Sequence, residues 1–216
     1  MPLQLPPPIT RALLIVCTVL LFLGAAIPPL QAMELQWLTL FPVFLGFWPW
    51  QILTYPFVHL DGLGWFFNML MLYFMGSRLE ELWGMRRFVQ FLLASTVAAA
   101  LVFLLITLLV GTRVPLTGMT GATFGMLVAF GVLFPHQRIL LYFVAEVTMR
   151  TAVWVFVGIE VILMIGSMLG GGGAWISVVS TLGGALGGYL MLLYWRWRPP
   201  SFKRKKSPPP HIRRVH

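Results

Sequence analysis

With 216 residues, of which 59% are hydrophobic and 10% charged, the chain lies outside the composition range of water-soluble domains. Its mean hydropathy of +0.87 indicates an integral membrane protein with a single membrane domain. The net charge of +9 does not indicate nucleic-acid binding, because eight of the fifteen basic residues follow the last apolar segment, where they suit anionic lipid headgroups.

The chain begins with a short proline-rich tail, residues 1–10, followed by an apolar segment from Ala12 to Ile27. Its small residues 24–26 also suit signal-peptide cleavage, but the prolines at 28 and 29 favour a retained span. Residues 33–58 carry one charge and many aromatic side chains, a composition typical of the membrane interface. We therefore expect these residues to form a loop in the outer leaflet.

Five further apolar segments follow, and with the first they predict an all-α membrane protein of six transmembrane helices. Their approximate bounds are 62–77, 88–111, 118–134, 151–170 and 175–195. The membrane domain is thus expected to extend over residues 11–198, and residues 199–216 to form a basic tail. The single cysteine, Cys17, excludes an intramolecular disulfide.

The basic residues predict the orientation of these segments. With a cytoplasmic N-terminus, fourteen of the fifteen lysines and arginines lie inside and only Arg113 lies outside, so both termini are predicted to be cytoplasmic. Asn68 and Thr181 then lie about 9 Å below the outer ends of their helices, and Thr120 lies near the start of another. Spacing therefore allows three polar side chains to meet in the outer leaflet.

The sequence limits the kinds of intramembrane catalysis. An aspartyl mechanism needs two aspartates, and Asp61 is the only one. The four histidines lack the His-Glu-x-x-His spacing of a zinc protease, so we expect no metal site and no cofactor. A serine–lysine dyad is excluded because the first lysine is Lys203, beyond the last span.

Four ordered motifs over about residues 45–195 resemble the rhomboid intramembrane serine proteases. They are Trp50 to His59 with Asn68, the turn Glu81-Leu-Trp-Gly-Met-Arg-Arg-Phe88, Gly118-Met-Thr-Gly121 and Thr181-Leu-Gly-Gly-Ala-Leu-Gly-Gly188. The resemblance implies a six-helix rhomboid-like bundle whose fourth and sixth helices pack closely through glycines. It also implies substrate contacts at four positions: His59, Asn68, Gly118 and Gly121.

The residues at the catalytic positions differ from those of the resembled family. Thr120 stands at the nucleophile position, Thr181 at that of the histidine base, and Gly64 at that of a histidine donor to the oxyanion hole. Threonine does not accept a proton near neutral pH, and a hydroxyl without a base does not attack an amide. We therefore expect a pseudoprotease that binds transmembrane clients laterally, between the second and fifth spans, without cleaving them.

Two other functions remain open. One is an active serine/threonine-type intramembrane endopeptidase in which Thr120 uses His59 or Glu160 as an unconventional base. Glu160 lies in mid-span, where an unpaired carboxylate is unfavourable, so we expect either a functional role or a protonated side chain bonded to a neighbouring helix. The other is a non-enzymatic membrane scaffold without a client cleft. The lack of appended domains favours a bacterial plasma membrane.

Overall fold

The computed structural model describes residues 5–141, 145–170, 173 and 175–197, and these are mostly helical. The first helices are α1 (Pro8–Ala26), α2 (Pro28–Leu38), α3 (Gln51–Thr54), α4 (Gly62–Met71) and α5 (Ser77–Trp83). The later helices are α6 (Met85–Val110), α7 (Thr120–Leu133), α8 (Met149–Leu169) and α9 (Trp175–Trp197). Between α7 and α8 lies a two-stranded antiparallel hairpin, β1 (Arg138–Leu141) and β2 (Ala145–Thr148).

Four helices of the described residues are long and apolar enough to cross a membrane: α1, α6, α8 and α9. A π-helical turn, Leu72–Gly76, joins α4 to α5, so that Gly62–Trp83 forms one continuous helical segment. Helix α7 has only 14 residues, about 21 Å, which is shorter than a full crossing. The prediction of an all-α membrane protein is thus confirmed, whereas the number of six spans stays a prediction.

The aromatic segment 33–58 is more ordered than the expected loop. Its first residues belong to α2, because Pro28 and Pro29 occupy the first helical positions, where a missing N–H removes no hydrogen bond. The buried side chain of Gln51 then holds the turn that follows, accepting from the backbone N–H groups of Phe41 at 3.3 Å and Trp48 at 3.2 Å. The prolines therefore start a helix as well as ending the first span.

Three tryptophans of this segment form a stacked group on its surface. Trp48 and Trp50 lie 5.0 Å apart between ring centroids, and Trp37 lies 6.3 Å from Trp50. The indole Nε1 of Trp50 donates to the carbonyl of Trp37 at 2.9 Å. All three side chains are exposed, in keeping with an aromatic belt at a membrane interface.

Helix α9 packs most closely against α6 and α7. A Cβ added at Gly184 would lie 2.6 Å from Cα of Gly121, and one added at Gly188 would lie 3.0 Å from Cα of Gly125. Only hydrogen atoms fit at these positions, so the backbones of α7 and α9 are in direct contact. The predicted close packing of these two helices through glycines is therefore confirmed.

Glu80 attaches the start of α1 to α5. Its carboxylate accepts from the backbone N–H groups of Ile9 at 2.9 Å and Thr10 at 2.8 Å, and from the Thr10 hydroxyl at 2.8 Å. The first N–H groups of a helix have no partner within the helix, and a carboxylate there also suits the helix dipole. Glu80 is only 3% exposed, so this contact is part of the core.

Helix α8 is the most loosely packed of the long helices. Only Met149 and Ala152 are fully buried, and Val153 contacts α7 at Gly131, where an added Cβ would lie 2.6 Å from Cγ2 of Val153. Further along, the helix becomes exposed, reaching 85% at Leu169. Helix α4 packs against α1 and α7 but shares no substantial contact with α8 in the described part of the chain.

Candidate functional site

The backbone before α7 is shaped by Gly118. Its φ of +84° is a conformation that other residues rarely adopt, and its N–H donates to the carbonyl of Tyr55 at 3.1 Å. A Cβ at this position would lie 3.8 Å from Oγ1 of Thr120 and 3.9 Å from both Nδ2 of Asn68 and Cδ2 of His59. Gly118 therefore lies at the point where these three side chains meet.

A chain of hydrogen bonds connects the loop before α4 to the start of α7. The Asn68 amide nitrogen lies 3.4 Å from Nε2 of His59 and donates to Oγ1 of Thr120 at 3.4 Å. The Asn68 carbonyl oxygen accepts from the hydroxyl of Thr123 at 2.9 Å. Both ends of the buried amide are thus occupied, as a buried polar group requires. No sequence pattern marks Thr123, which lies on the same face of α7 as Thr120.

His59 takes part as a neutral ring. Its Nδ1 lies 3.3 Å from the carbonyl of Phe57, which assigns the proton to Nδ1 and leaves Nε2 to accept from Asn68. Burial lowers the pKa of His59, and this outweighs the opposing effects of the Phe57 carbonyl and the Asp61 charge. Because Nε2 is bonded to Asn68, the imidazole is separated from the Thr120 hydroxyl by the amide and does not reach it directly.

Thr120 and Thr181 line the same small cavity between α7 and α9. The cavity has a volume of about 30 Å³, which suffices for one or two water molecules. Its lining includes several further hydroxyl side chains: Tyr55, Thr117, Ser177 and Ser180. The structure thus brings together the two residues that stand at the predicted nucleophile and base positions.

The hydroxyl of Thr181 is directed to its own helix. It donates to the carbonyl of Ser177 at 3.0 Å, and the neighbouring Ser180 donates to the carbonyl of Ile176 at 2.7 Å. Such bonds to the residue four positions earlier are common for hydroxyl side chains in apolar helices. Thr181 therefore occupies the expected place but offers no group that accepts a proton near neutral pH.

Gly64 lies at the start of α4, one turn before Asn68. Its N–H donates to the carboxylate of Asp61, which caps the helix. A Cβ at position 64 would lie 2.8 Å from Oδ2 of Asp61. A histidine here would displace that carboxylate, so the place of the expected oxyanion donor is taken up by a helix cap.

The other predicted residues lie away from this chain of hydrogen bonds. A Cβ on Gly121 would lie 2.7 Å from Cβ of Ala99, so its α-carbon faces the α6–α9 contact, although the residue also lines the cavity. Glu160 lies half-buried on α8 and has no hydrogen bond to Thr120 within the described residues. No group of three or more metal-ligating side chains occurs in that part of the chain.

Comparison with known proteins assigns the chain to a family. The model described as "Eukaryotic integral membrane protein (DUF1751)" matches residues 11–203. The chain belongs to this family. None of the curated proteins compared with this DUF1751 chain matches it. Membership confirms an integral membrane protein.

The same match shows that the expectation of a bacterial membrane was wrong, because the DUF1751 family is described as eukaryotic. That expectation depended only on the lack of appended domains, which is no physical constraint on the type of cell. Apolar spans and a basic tail suit the membranes of either kind of cell equally well.

Proposed function

We propose that this chain is a six-helix, rhomboid-like pseudoprotease that binds the transmembrane helices of client proteins laterally and does not cleave them. The main support is the cavity between α7 and α9. Thr120 and Thr181, which stand at the nucleophile and base positions of the resembled family, both line it, and the Thr181 hydroxyl donates to its own helix. The catalytic positions are thus adjacent, while the base chemistry is missing.

Further support is that no basic side chain is hydrogen-bonded to the Thr120 hydroxyl among the described residues. The Nε2 atom of His59 is bonded to Asn68, and Asn68 donates to the Thr120 oxygen instead of accepting its proton. A general base must lie within hydrogen-bond reach of the proton that it removes. Gly64 also leaves the site without one side-chain donor to an oxyanion, a loss of about 3 kcal/mol in transition-state stabilisation.

Lateral binding is supported by the way the helices pack. Helices α4 and α8 share no substantial contact in the described part of the chain, and each packs against α7, so we place the lateral entry between them. Asn68 of α4 is hydrogen-bonded to Thr120 of α7 close to Gly118, and Thr120 is partly exposed. A client helix that enters between α4 and α8 would reach these groups.

A cleavage assay tests the absence of catalysis. The purified full chain in nanodiscs, mixed with a single-span substrate of rhomboid type, should yield no cleavage product over hours, because Thr120 has no base. Thr120→Ala and the neighbouring cavity variant Thr117→Ala serve as a matched pair. Cleavage that is lost in Thr120→Ala and kept in Thr117→Ala would establish a threonine protease and refute the proposal.

Crosslinking tests the lateral opening and distinguishes it from a scaffold without a cleft. Photoreactive residues placed at exposed Phe67 of α4 and Leu163 of α8 should capture client helices. Leu105 of α6 and Leu186 of α9 are comparably exposed and serve as controls. Client adducts confined to the two control positions would favour the scaffold.

A further inference from the structure

Glu160 is a carboxylate in the middle of a helix that is long and apolar enough to span a membrane. It lies eleven residues after Met149, where α8 begins, and thus roughly 16 Å along the helix. Within the described residues it has neither a hydrogen bond nor an ion pair. Ionisable groups at this depth normally have a partner, because the hydrocarbon does not solvate them.

The side of α8 that carries Glu160 is the side that packs on the bundle. Ala152 is fully buried, Val153 contacts Gly131, and Phe156 packs against the core; Glu160 follows Phe156 by one turn. Glu160 is half-buried, whereas Ile162, two residues on, is 69% exposed on the opposite face. The carboxylate therefore lies in mid-helix on the face of α8 that packs on the bundle.

Glu160 lies at about the depth of the hydrogen-bonded cluster at the start of α7. Val153 of α8 contacts Gly131 of α7, and the two helices run in opposite directions in the predicted topology. Glu160, seven residues after Val153, therefore lies level with Phe124, seven residues before Gly131. Phe124 follows Thr123, which bonds to Asn68 of α4. Polar groups of α4 and α8 thus lie at similar depth on the two sides of the opening.

The charge of Glu160 is not matched within this chain. All described arginines lie at or near the ends of the long helices or in the connections between them, and the first lysine in the sequence is Lys203. A second copy of the chain therefore has no basic residue at mid-span, and lipid headgroups lie at the surface. A transmembrane helix of another protein is a source of a cation at this depth.

We propose that Glu160 selects client helices that carry a lysine or arginine near the middle of the membrane. This inference depends on the lateral binding proposed above and names the kind of client. A carboxylate and a cation that are each unfavourable alone in hydrocarbon offset one another when they pair. The opening between α4 and α8 lets such a helix approach Glu160 without disturbing the α7–α9 contact.

Binding of synthetic helices in nanodiscs tests the proposal with the full chain. The probes are labelled single-span helices of leucine and alanine with either lysine or leucine at the central position. The lysine helix should bind the wild type about three- to tenfold more tightly than the leucine helix, the range of interhelical polar contacts in membranes. Glu160→Gln should remove this difference and leave binding of the leucine helix unchanged.

A second variant keeps the charge but moves it to the lipid-facing side. Glu160→Gln combined with Ile162→Glu should also lose the preference for lysine. Equal binding of both probes to the wild type would overturn the selection by charge while leaving lateral binding intact. Failure of both probes to bind would overturn the proposed lateral binding and this inference with it.

Thermal unfolding separates a client contact from an internal one. Because Glu160 has no partner among the described residues, Glu160→Gln should leave the unfolding midpoint unchanged or raise it. A midpoint that falls by several degrees in the absence of a client would show that Glu160 stabilises the chain itself, and would contradict the proposal.

Discussion

Thr120 is held by hydrogen bonds at the junction of α4 and α7. Asn68 donates to its oxygen, and the other end of the amide accepts from Thr123. In a buried site each of these groups needs its partner, because an unpaired polar group is unfavourable by about 1–3 kcal/mol. The same polar residues that suggest a catalytic site thus also stabilise the junction of α4 and α7.

Restoring the catalytic residue types tests the register of α7 and α9. The double variant Thr120→Ser with Thr181→His should react slowly with a fluorophosphonate probe, whereas neither single variant should, since nucleophile and base act as a unit. Adding Gly64→His should increase the labelling rate further only if the start of α4 stays folded after the histidine displaces the Asp61 carboxylate. Labelling is measured by in-gel fluorescence.

The control for this repair is the reversion of either introduced residue, which should abolish labelling. The reaction is expected to be weak, because a displacement of 1 Å in such a site reduces rates about 100-fold. A double variant that unfolds at the wild-type temperature and shows no labelling would count against the assignment of Thr181 to the base position.

Glu80 and Glu81 are adjacent carboxylates, but only Glu80 is expected to contribute strongly to the free energy of unfolding. Glu80→Ala leaves the buried N–H groups of Ile9 and Thr10 without their acceptor, so the free energy of unfolding should fall by about 2–4 kcal/mol. Glu81→Ala removes only an exposed contact of 3.8 Å with Arg78, and should change stability by less than about 1 kcal/mol. Denaturation in detergent measures both.

Equal losses in the two variants would show that α1 is not attached through Glu80. The sequence motif drew attention to Glu81 and Arg87, but Arg87 lies over the ring of Trp195 at 5.2 Å and Glu81 is exposed. Thr10, a partner of Glu80, lies 70 residues away along the chain. No local pattern indicates a contact of that separation.

At the level of elements, the glycines of α7 and α9 determine how closely the two helices approach. Lipid chains are as apolar as leucine, so helices in a membrane associate through close packing and polar contacts. The contacts at Gly121, Gly125, Gly184 and Gly188 give the bundle its central layer. Gly158 and Gly166 of α8 have no neighbour within 4 Å of an added Cβ, so that helix lacks such a layer.

Leucine substitutions at matched glycines test this difference. Gly184→Leu forces a side chain into the backbone of Gly121 and should lower the free energy of unfolding by at least about 1–3 kcal/mol. Gly158→Leu places the same side chain in open space and should be neutral or stabilising, since leucine favours helix more than glycine does. Thermal unfolding in one detergent compares the two; similar midpoints would mean that α7 and α9 are not in contact.

For the whole molecule, the distribution of basic residues predicts a definite orientation. Labelling of single cysteines with a membrane-impermeant maleimide tests it in a Cys17→Ala background. Arg113→Cys should react from the outer side, and Ser207→Cys, which lies outside the described residues, should react only after the membrane is permeabilised. Reaction of Ser207→Cys in sealed cells or vesicles of known orientation would contradict a six-span arrangement with both termini cytoplasmic.

The sequence by itself determined that this is a helical membrane protein, because apolar segments of about 20 residues form helices that satisfy their own backbone in hydrocarbon. Helix spacing also allowed Asn68, Thr120 and Thr181 to meet; in the structure Asn68 donates to Thr120, and Thr120 and Thr181 line the same cavity. The sequence did not predict that residues 33–38 belong to helix α2 or that Thr123 donates to the Asn68 side-chain amide. It also did not predict that Glu80 accepts hydrogen bonds from the start of α1.

Only the tertiary structure decided these points, and the physical reason is the same for each. Hydrophobic pattern and capping residues fix where a helix begins and ends, but its rotation and depth relative to its neighbours depend on contacts distant in sequence. The Thr181 hydroxyl shows this: spacing allowed it to meet Thr120, while its bond to Ser177 became visible only once α9 was packed. Likewise, the half-buried position of Glu160 depends on how α8 packs against α7 and α9, which no local sequence pattern encodes.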